Sequence, residues 1–577
     1  MQRAGLALLT LALALSPASA AELTFKERLL GELVKQVPGI LDSFDPKTGR
    51  FGSGIWICMD QNAMYPLAAA YASPGAGNPF HNDPELLQTI MKAGDALIDD
   101  MDAEGCWVFR KKDGSTWGNI RMPWTYSRWI RTFQLIRDRM PPERRQRWAK
   151  ALALGYSKIA QRDLGHVHNI PAHHAMGLYA AGKALDRPEW CAQAAEFLAK
   201  VAAQQAEAGY WSEGGGPVIE YNFVYVEALG TYLAMSGDCR VLAALEKAAA
   251  FHRRFTYPGG QNVETLDQRN PYHDRIAPGN VGFTFSPVGR AYLANQWSRL
   301  GKTGLDADLI ASLVLFGQEG PLAEAAPAGD ETFVLREGGA DRAATVRRGP
   351  WFLCLSAYTT PVVKSRWIQD RQNLLSVYHD KTGLIVGGGN TKLQPLWSNF
   401  TVGDPALLAH RPGDTNPDFL PKGELFHVPS AATLLLRPDP TLRLTYGPEP
   451  CTIRAHIQDD RTLRCTIGAS GASELPVKAN LTLIPRFGKP LQTAAGQTLT
   501  LGRQPIALGA EQVGAWVAHG GYRLKLPPGA TLTWPALPHN PYRADGHATP
   551  EEGRIVIQIP LQRGRSEGEV TIEIVDG

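Results

Sequence analysis

Apolar side chains recur every three to four positions from about residue 24 to residue 316, the spacing of helices that bury one face. In residues 85–101, Leu86, Leu87, Ile90, Met91, Leu97 and Ile98 share one stripe, and the small Gly94 lies in the same row. Residues 127–140, 143–159, 190–208, 218–235 and 241–251 repeat the pattern, separated by breaks such as Pro141-Pro142, Ser236-Gly237-Asp238 and Pro258-Gly259-Gly260. The tally is about ten helices joined by short or medium loops, which suits paired helices in a ring or a solenoid.

Residues 317–330 are rich in Gly, Ala, Pro and Glu and read as a linker. Beyond them the period drops to two, as in residues 345–348, 374–378, 433–436, 442–446 and 555–559. The chain is therefore predicted to be multidomain α+β, with a helical half at 21–316 and antiparallel β-sandwich after 331. A break near residues 468–474 suggests a central sandwich at 331–470 and a smaller C-terminal β-sheet region at 471–577.

The first twenty residues follow a different rule. Arg3, the apolar run 6–15 and Ala18-Ser19-Ala20 have the layout of a cleavable signal peptide, 1–20, and the apolar run is too short to span a bilayer. No later stretch reads as a membrane span, so a soluble periplasmic or secreted protein is expected. Export makes disulfides permissible, and Cys451/Cys465, Cys58/Cys106 and Cys191/Cys239 are candidate pairs, with Cys354 a buried thiol. With 44% hydrophobic and 20% charged residues, the 577-residue chain can bury a large core. A net charge of +3 supplies no global field for nucleic acid, so any anionic ligand must be gripped locally.

Three clusters carry candidate chemistry. In His166-Val167-His168-Asn169-Ile170-Pro171-Ala172-His173-His174, four of the fourteen histidines fall at a loop-to-helix transition, without the spacing of a closed zinc site. Next comes Trp211-Ser212-Glu213-Gly214-Gly215-Gly216-Pro217, a glycine-rich loop opening a helix that carries Glu220, Tyr221, Asn222 and Tyr225. No Lys-Ser/Thr follows it, which excludes a nucleotide-binding P-loop. The third, Arg371-Gln372-Asn373 through His379-Asp380, ends a strand before a turn. Between the last two, the loop with Glu264, Asp267, Arg269, Tyr272 and His273 is polar, aromatic and basic, a composition that suits a substrate cleft or a solvated surface.

Together these residues resemble the heparinase II/III-like polysaccharide lyases and their alginate-lyase relatives. The likeness spans most of the mature chain in organisation and short stretches in sequence. It implies an incomplete (α/α) toroid followed by antiparallel β-sheet. In that group a Glu, a Gly/Ser-containing loop and a Tyr-His pair precede a Glu-Ala-Leu. Glu213, the glycine loop, Tyr221-Asn222 and Glu227-Ala228-Leu229 are similar, with a longer loop and Asn222 in place of the His.

By that resemblance Tyr221 is the catalytic tyrosine, with Tyr225 as the alternative. Asn169, His173 or His174 neutralises the substrate carboxylate, and His379 is the histidine drawn in from the β half. Such enzymes β-eliminate a 4-linked uronate: a base removes the C5 proton, an acid protonates the leaving oxygen at C4, and a donor facing the carboxylate stabilises the charge that builds there, worth ~3–4 kcal/mol. The resemblance thus implies an acidic polysaccharide substrate, with alginate, glycosaminoglycan, glucuronan-type and ulvan-type polymers all open. It implies no required cofactor, and no residues here support structural zinc or calcium. Arg269, Tyr272 and His273 are candidate subsite contacts, joined by Glu213, Asn222 and Tyr225, and by Trp124 and Arg128 at a helix start. Two other classes compete. A glycoside hydrolase on a toroid would draw a carboxylate pair from Glu213, Glu220, Glu264 and Asp267. A non-catalytic glycan-binding protein would use the aromatics for stacking alone.

Overall fold

The computed structural model describes residues 24–52, 57–75, 77–111, 114–269, 275–300, 304–324, 329–408, 410, 413–561 and 566–575. The expected signal peptide, Tyr272 and His273 lie outside the described residues. None of the described helices is long and apolar enough to cross a membrane.

Eleven helices precede the first large sheet among the described residues. They are α1 (Phe25–Leu41), α2 (Met64–Ala72), α3 (Pro84–Asp100), α4 (Pro123–Ile136), α5 (Pro142–Arg162), α6 (Asn169–Ala184), α7 (Pro188–Ala203), α8 (Ile219–Ser236), α9 (Leu242–Arg254), α10 (Pro287–Leu300) and α11 (Ala307–Phe316). Their ends are written locally. Thr24 and Glu27 form a capping box on α1, and Asp83 caps α3 ahead of Pro84. Gly237, in the left-handed region, closes α8. Helices α2, α4, α6, α8 and α11 touch in succession around a ring, with α3, α5 and α7 packed outside it. Of the inner members, α6 and α8 bury most of their side chains between ring neighbours and outer helices.

A short hairpin, Trp107–Arg110 with Thr116–Ile120, interrupts the helical half and was not foreseen from the sequence.

Among the described residues all strand pairs are antiparallel. One sheet runs from Glu331–Glu337 through Ala340–Arg348, Trp351–Ser356, Leu375–His379 and Gly383–Val386 to Val477–Leu483 and Arg554–Leu561. The other joins Thr441–Tyr446, Glu449–Asp459 and Thr462–Ala469 to Glu567–Ile574. This corrects the expected split at 470/471, because a cut there would divide both sheets. A single core holds them face to face, with Leu353, Leu483 and Ile557 from one packing against Leu442, Ile453 and Ile572 from the other. The candidate disulfides are corrected too, since all seven cysteines are free; Cys354 is fully buried.

A second apolar cluster locks the halves together: Tyr210, Ile219, Tyr257 and Leu266 of the helical half meet Phe352, Tyr358 and Tyr378 of the sandwich. The loops before and after α8 are therefore wedged between the domains.

Candidate active site

The glycine loop turns back on itself through a bridge between Ser212 and Pro217, with Glu213 N donating to Gly216 O at 3.1 Å. Gly216 sits at φ +133°, and a Cβ there would stand 2.8 Å from the Tyr358 ring. Only glycine serves where the loop passes under the sandwich. The turn delivers Glu213, nearly buried, to the start of α6. There its carboxylate accepts from the Tyr225 hydroxyl (2.6 Å) and the Asn169 amide (3.0 Å) on Oε1, and pairs with His168 Nε2 (2.7 Å) on Oε2. Burial works to raise this carboxyl, but the hydrogen bonds from His168, Tyr225 and Asn169 outweigh it, and the net displacement is downward. Glu213 is thus an ionised hub, and it holds an imidazole that is 42% exposed in its side chain. Because Nε2–H donates to Glu213, His168 Nδ1 is the acceptor, 3.2 Å from the Asn169 amide.

Tyr221 lies in the first turn of α8, half-buried. Its hydroxyl accepts from Arg269 Nη2 at 2.8 Å, and the guanidinium carbon stands 4.9 Å from the ring centre. Burial, reinforced by the neighbouring Tyr542 hydroxyl and the carboxylates Asp267 and Glu213, raises the phenol above its ordinary value, while Arg269 opposes the rise. Tyr221 is therefore protonated at neutral pH, with a cation waiting on its oxygen. Asp267 anchors the arrangement, accepting from Arg269 N (2.7 Å) and Glu220 N (3.4 Å). Next to Arg269, Gln268 O accepts from Gln369 N of the sandwich at 2.9 Å.

Several candidates take other roles. Tyr225 is buried and its hydrogen is committed to Glu213. Asn222 is buried, its Oδ1 accepting from Trp211 N at 2.9 Å, so it fastens the loop to α8 and is no substrate contact. His173 accepts on Nε2 from Arg128 (3.1 Å) and lies 2.9 Å from Ser127 Oγ, while burial and the charge of Arg128 drive it well below its usual value. His174 is pushed down by burial to about 4. Both rings are therefore uncharged at neutral pH, which corrects their assignment as cations facing a carboxylate. Arg128 is corrected as a subsite contact: it is buried, paired with Asp308 (2.6 Å) and Glu227 (3.3 Å) inside the ring. Trp124 packs 5.7 Å from His173 on the same wall.

His379 is not brought to this group. Its Nδ1 accepts from Lys381 N and its Nε2 donates to Asp460 O, both at 3.0 Å, and the ring sits against Trp351 at a strand end. With both nitrogens engaged by backbone it cannot serve as the partner base. The third cluster reaches the site through Arg371 instead. That guanidinium, fully buried, donates to Leu266 O (2.8 Å) and Pro217 O (3.3 Å), pinning both loops that frame Tyr221. Burial without a hydrogen-bonded carboxylate lowers it to about 10. His168 and Arg371 stood inside clusters already visible in the sequence; what the sequence lacked was any sign of which member faced inward.

Two cavities flank the group. One of about 430 Å³ is lined by His166, His168, His174, Arg121 and Arg162, its one carboxylate, Asp163, held bidentately by Arg121. The other, about 760 Å³, lies inside the ring and is lined by Tyr221, Glu220, Asp267, Glu227 and Asp308. Of the carboxylates a hydrolase would use, Glu264 is fully buried, accepting from Gly388 N and Tyr257 at 2.9 Å. Glu213 and Asp267 are committed as described, and Glu220 accepts from Asn262 at 2.6 Å. Glu220 is raised by desolvation and by Asp267, and the two line the larger cavity together. Among the described residues no cluster of His, Cys, Asp and Glu could hold a metal ion.

No family model and no curated protein sequence matches the chain. Solved structures do. The chondroitin AC lyase of Streptomyces coelicolor A3, in complex with chondroitin sulphate, superposes with a TM-score of 0.53 at 15% identity, over 97% of this chain and 80% of that one. Heparinase III gives 0.55 at 11% identity, over 98% and 87%. A Paenibacillus xanthan lyase gives 0.50 at 11% identity, over 95% and 57%. At these identities the likeness is one of fold, and it is the toroid-plus-antiparallel-sheet fold expected above.

Proposed function

We propose that this chain, which has the fold of toroidal polysaccharide lyases, is itself a polysaccharide lyase that cleaves a uronic-acid-containing polysaccharide by β-elimination. The observation that carries the reading is the Tyr221 hydroxyl, protonated and capped by Arg269, on the cavity inside the ring, with His168 of the Glu213 network lining the neighbouring cavity. A phenol that must release its proton needs its conjugate base stabilised, and a guanidinium 2.8 Å away does that at the moment charge appears.

With substrate bound, His168 Nδ1 exchanges its side-chain partner, the Asn169 amide, for the C5 hydrogen and takes that proton, and Glu213 stabilises the imidazolium through Nε2–H. The C5 electron pair forms the C4=C5 double bond as the C4–O bond breaks. The leaving oxygen takes the Tyr221 proton, and Arg269 holds the phenolate until the imidazolium proton returns through water. The Asn169 amide hydrogen released from His168 turns to the substrate carboxylate, while the other stays on Glu213. Arg269 supplies local positive charge beside Tyr221. No cofactor enters this chemistry. The reading also places the protein in the periplasm or the medium, delivered by the leader 1–20.

The test is direct. Purified protein should raise ultraviolet absorbance on at least one member of a panel of alginate, glycosaminoglycan, glucuronan and ulvan polymers. Tyr221→Phe should abolish the signal while circular dichroism stays unchanged. Reducing sugar without absorbance would favour hydrolysis, binding without product would favour a glycan-binding protein, and full activity in Tyr221→Phe would sink the assignment.

A further inference from the structure

The hairpin Trp107–Arg110/Thr116–Ile120 touches the sandwich through a chain of aromatic rings on two of its loops. The hairpin leaves the helical half at its Asn119–Arg121 end, which lines the same cavity as His166 and His168. At its other end Trp117 is half exposed, yet its ring meets Trp367 of the sandwich edge-on, 5.1 Å between centres at 79°. Trp367 in turn lies 5.7 Å from Tyr542, itself 44% exposed. Phe109 supports Trp117 from behind at 5.3 Å. Lys111 Nζ stands 5.1 and 5.3 Å from the Trp117 and Trp367 rings, and Arg366 lies 5.0 Å over Trp367, so cations hold both tryptophans.

The sandwich side of the bridge is built firmly. Arg366 donates to Pro541 O at 2.8 Å and also to Arg543 O, tying the two loops to each other. The loop's foot is fixed by Lys392, which is buried, donates to Val363 O at 2.9 Å and pairs with Asp370. Two residues past Trp367, Gln369 N holds Gln268 O, next to Arg269. One abutment thus stands on the His168 side of the reacting group and the other on the Arg269 side.

We infer that Trp117, Trp367 and Tyr542 bridge the cleft into a tunnel over Tyr221, so that the substrate enters by a chain end and is cut exolytically. This rests on the lyase reading and adds the mode of attack. A polymer cannot enter a bridged cleft sideways, whereas an end can thread beneath the rings. The join among the described residues is made by exposed rings, a contact that opens without unfolding either domain.

The experiment uses the full chain and whichever uronate polymer gives absorbance, with size-exclusion profiles taken at low conversion. The wild type should leave the polymer peak at its starting position while a short unsaturated product accumulates. The double variant Trp117→Ala/Trp367→Ala should shift the polymer peak to intermediate sizes at equal absorbance, and Trp117→Phe, which keeps an aromatic edge, should retain the wild-type profile. Intermediate sizes from the wild type, or an unchanged profile in the double variant, overturn this inference and leave the lyase reading standing. Failure of every polymer to give absorbance overturns both.

Discussion

Two tyrosines one helical turn apart face opposite demands. Tyr225 donates its hydrogen to Glu213, so losing it would put two negative charges together; Tyr221 accepts from Arg269, so losing its hydrogen is what the neighbour favours. Arg269→Ala is therefore expected to lower kcat by about 10²- to 10³-fold, the cost of removing one donor from a developing oxyanion, with KM changed less. Arg269→Lys should recover part of the loss, and steady-state kinetics on the responsive polymer reads both. Tyr221, Glu213 and Asn169 were legible in the sequence because glycine loop, helix start and histidine-rich transition are local signals. His379 was misleading because a strand-end histidine looks the same whether backbone or substrate takes its nitrogens. Arg371 was passed over because its role depends on two carbonyls more than a hundred residues away.

Whole elements were easier to foresee than their contacts. The stripe on α3 gave the buried face correctly, and the glycine in that row has a plain reason: a Cβ on Gly94 would stand 1.9 Å from the Trp148 indole of α5. Gly94→Ala should push α3 and α5 apart and cost ~1–3 kcal/mol of stability, the usual range for overpacking a tight core. Urea denaturation measures it, and a loss below ~0.5 kcal/mol would mean the indole moves aside freely. Strand positions were also readable, since Thr441–Tyr446 alternates as a half-buried strand must, while Arg554–Leu561 opens on four buried residues in a row. Strand partners were not, because Val477–Leu483 pairs with strands on both sides of the expected boundary, and nothing local marks a pairing across such separations. The hairpin carrying Trp117 escaped notice because its second strand is almost entirely exposed and has no alternation to read.

The assembled molecule buries imidazoles that the chemistry does not use, and this sets its response to acid. His252 is fully enclosed by Phe223, Phe251, Phe283 and Tyr292, neither ring nitrogen has a hydrogen-bond partner, and burial lowers it to about 3. His174 lies at about 4 for the same reason. In the unfolded chain both take protons near pH 6.5, while in the folded protein they refuse them until pH 4 or below, so the unfolded state binds more protons across that window. Stability must then fall as pH drops below about 6.5, by ~3 kcal/mol at pH 4 for His174 alone. Glu213 acts in the same direction further down: its carboxyl is depressed in the fold, so its contribution is complete above the unfolded value of 4.5 and is lost as pH falls through the folded one. The urea midpoint should therefore decline from pH 6.5 to 4 and go on declining below. His252→Phe, an aromatic among aromatics, should flatten the upper part of that decline. A midpoint constant from pH 7 to 4, or a slope unaltered by His252→Phe, would show that these rings become charged without opening the fold.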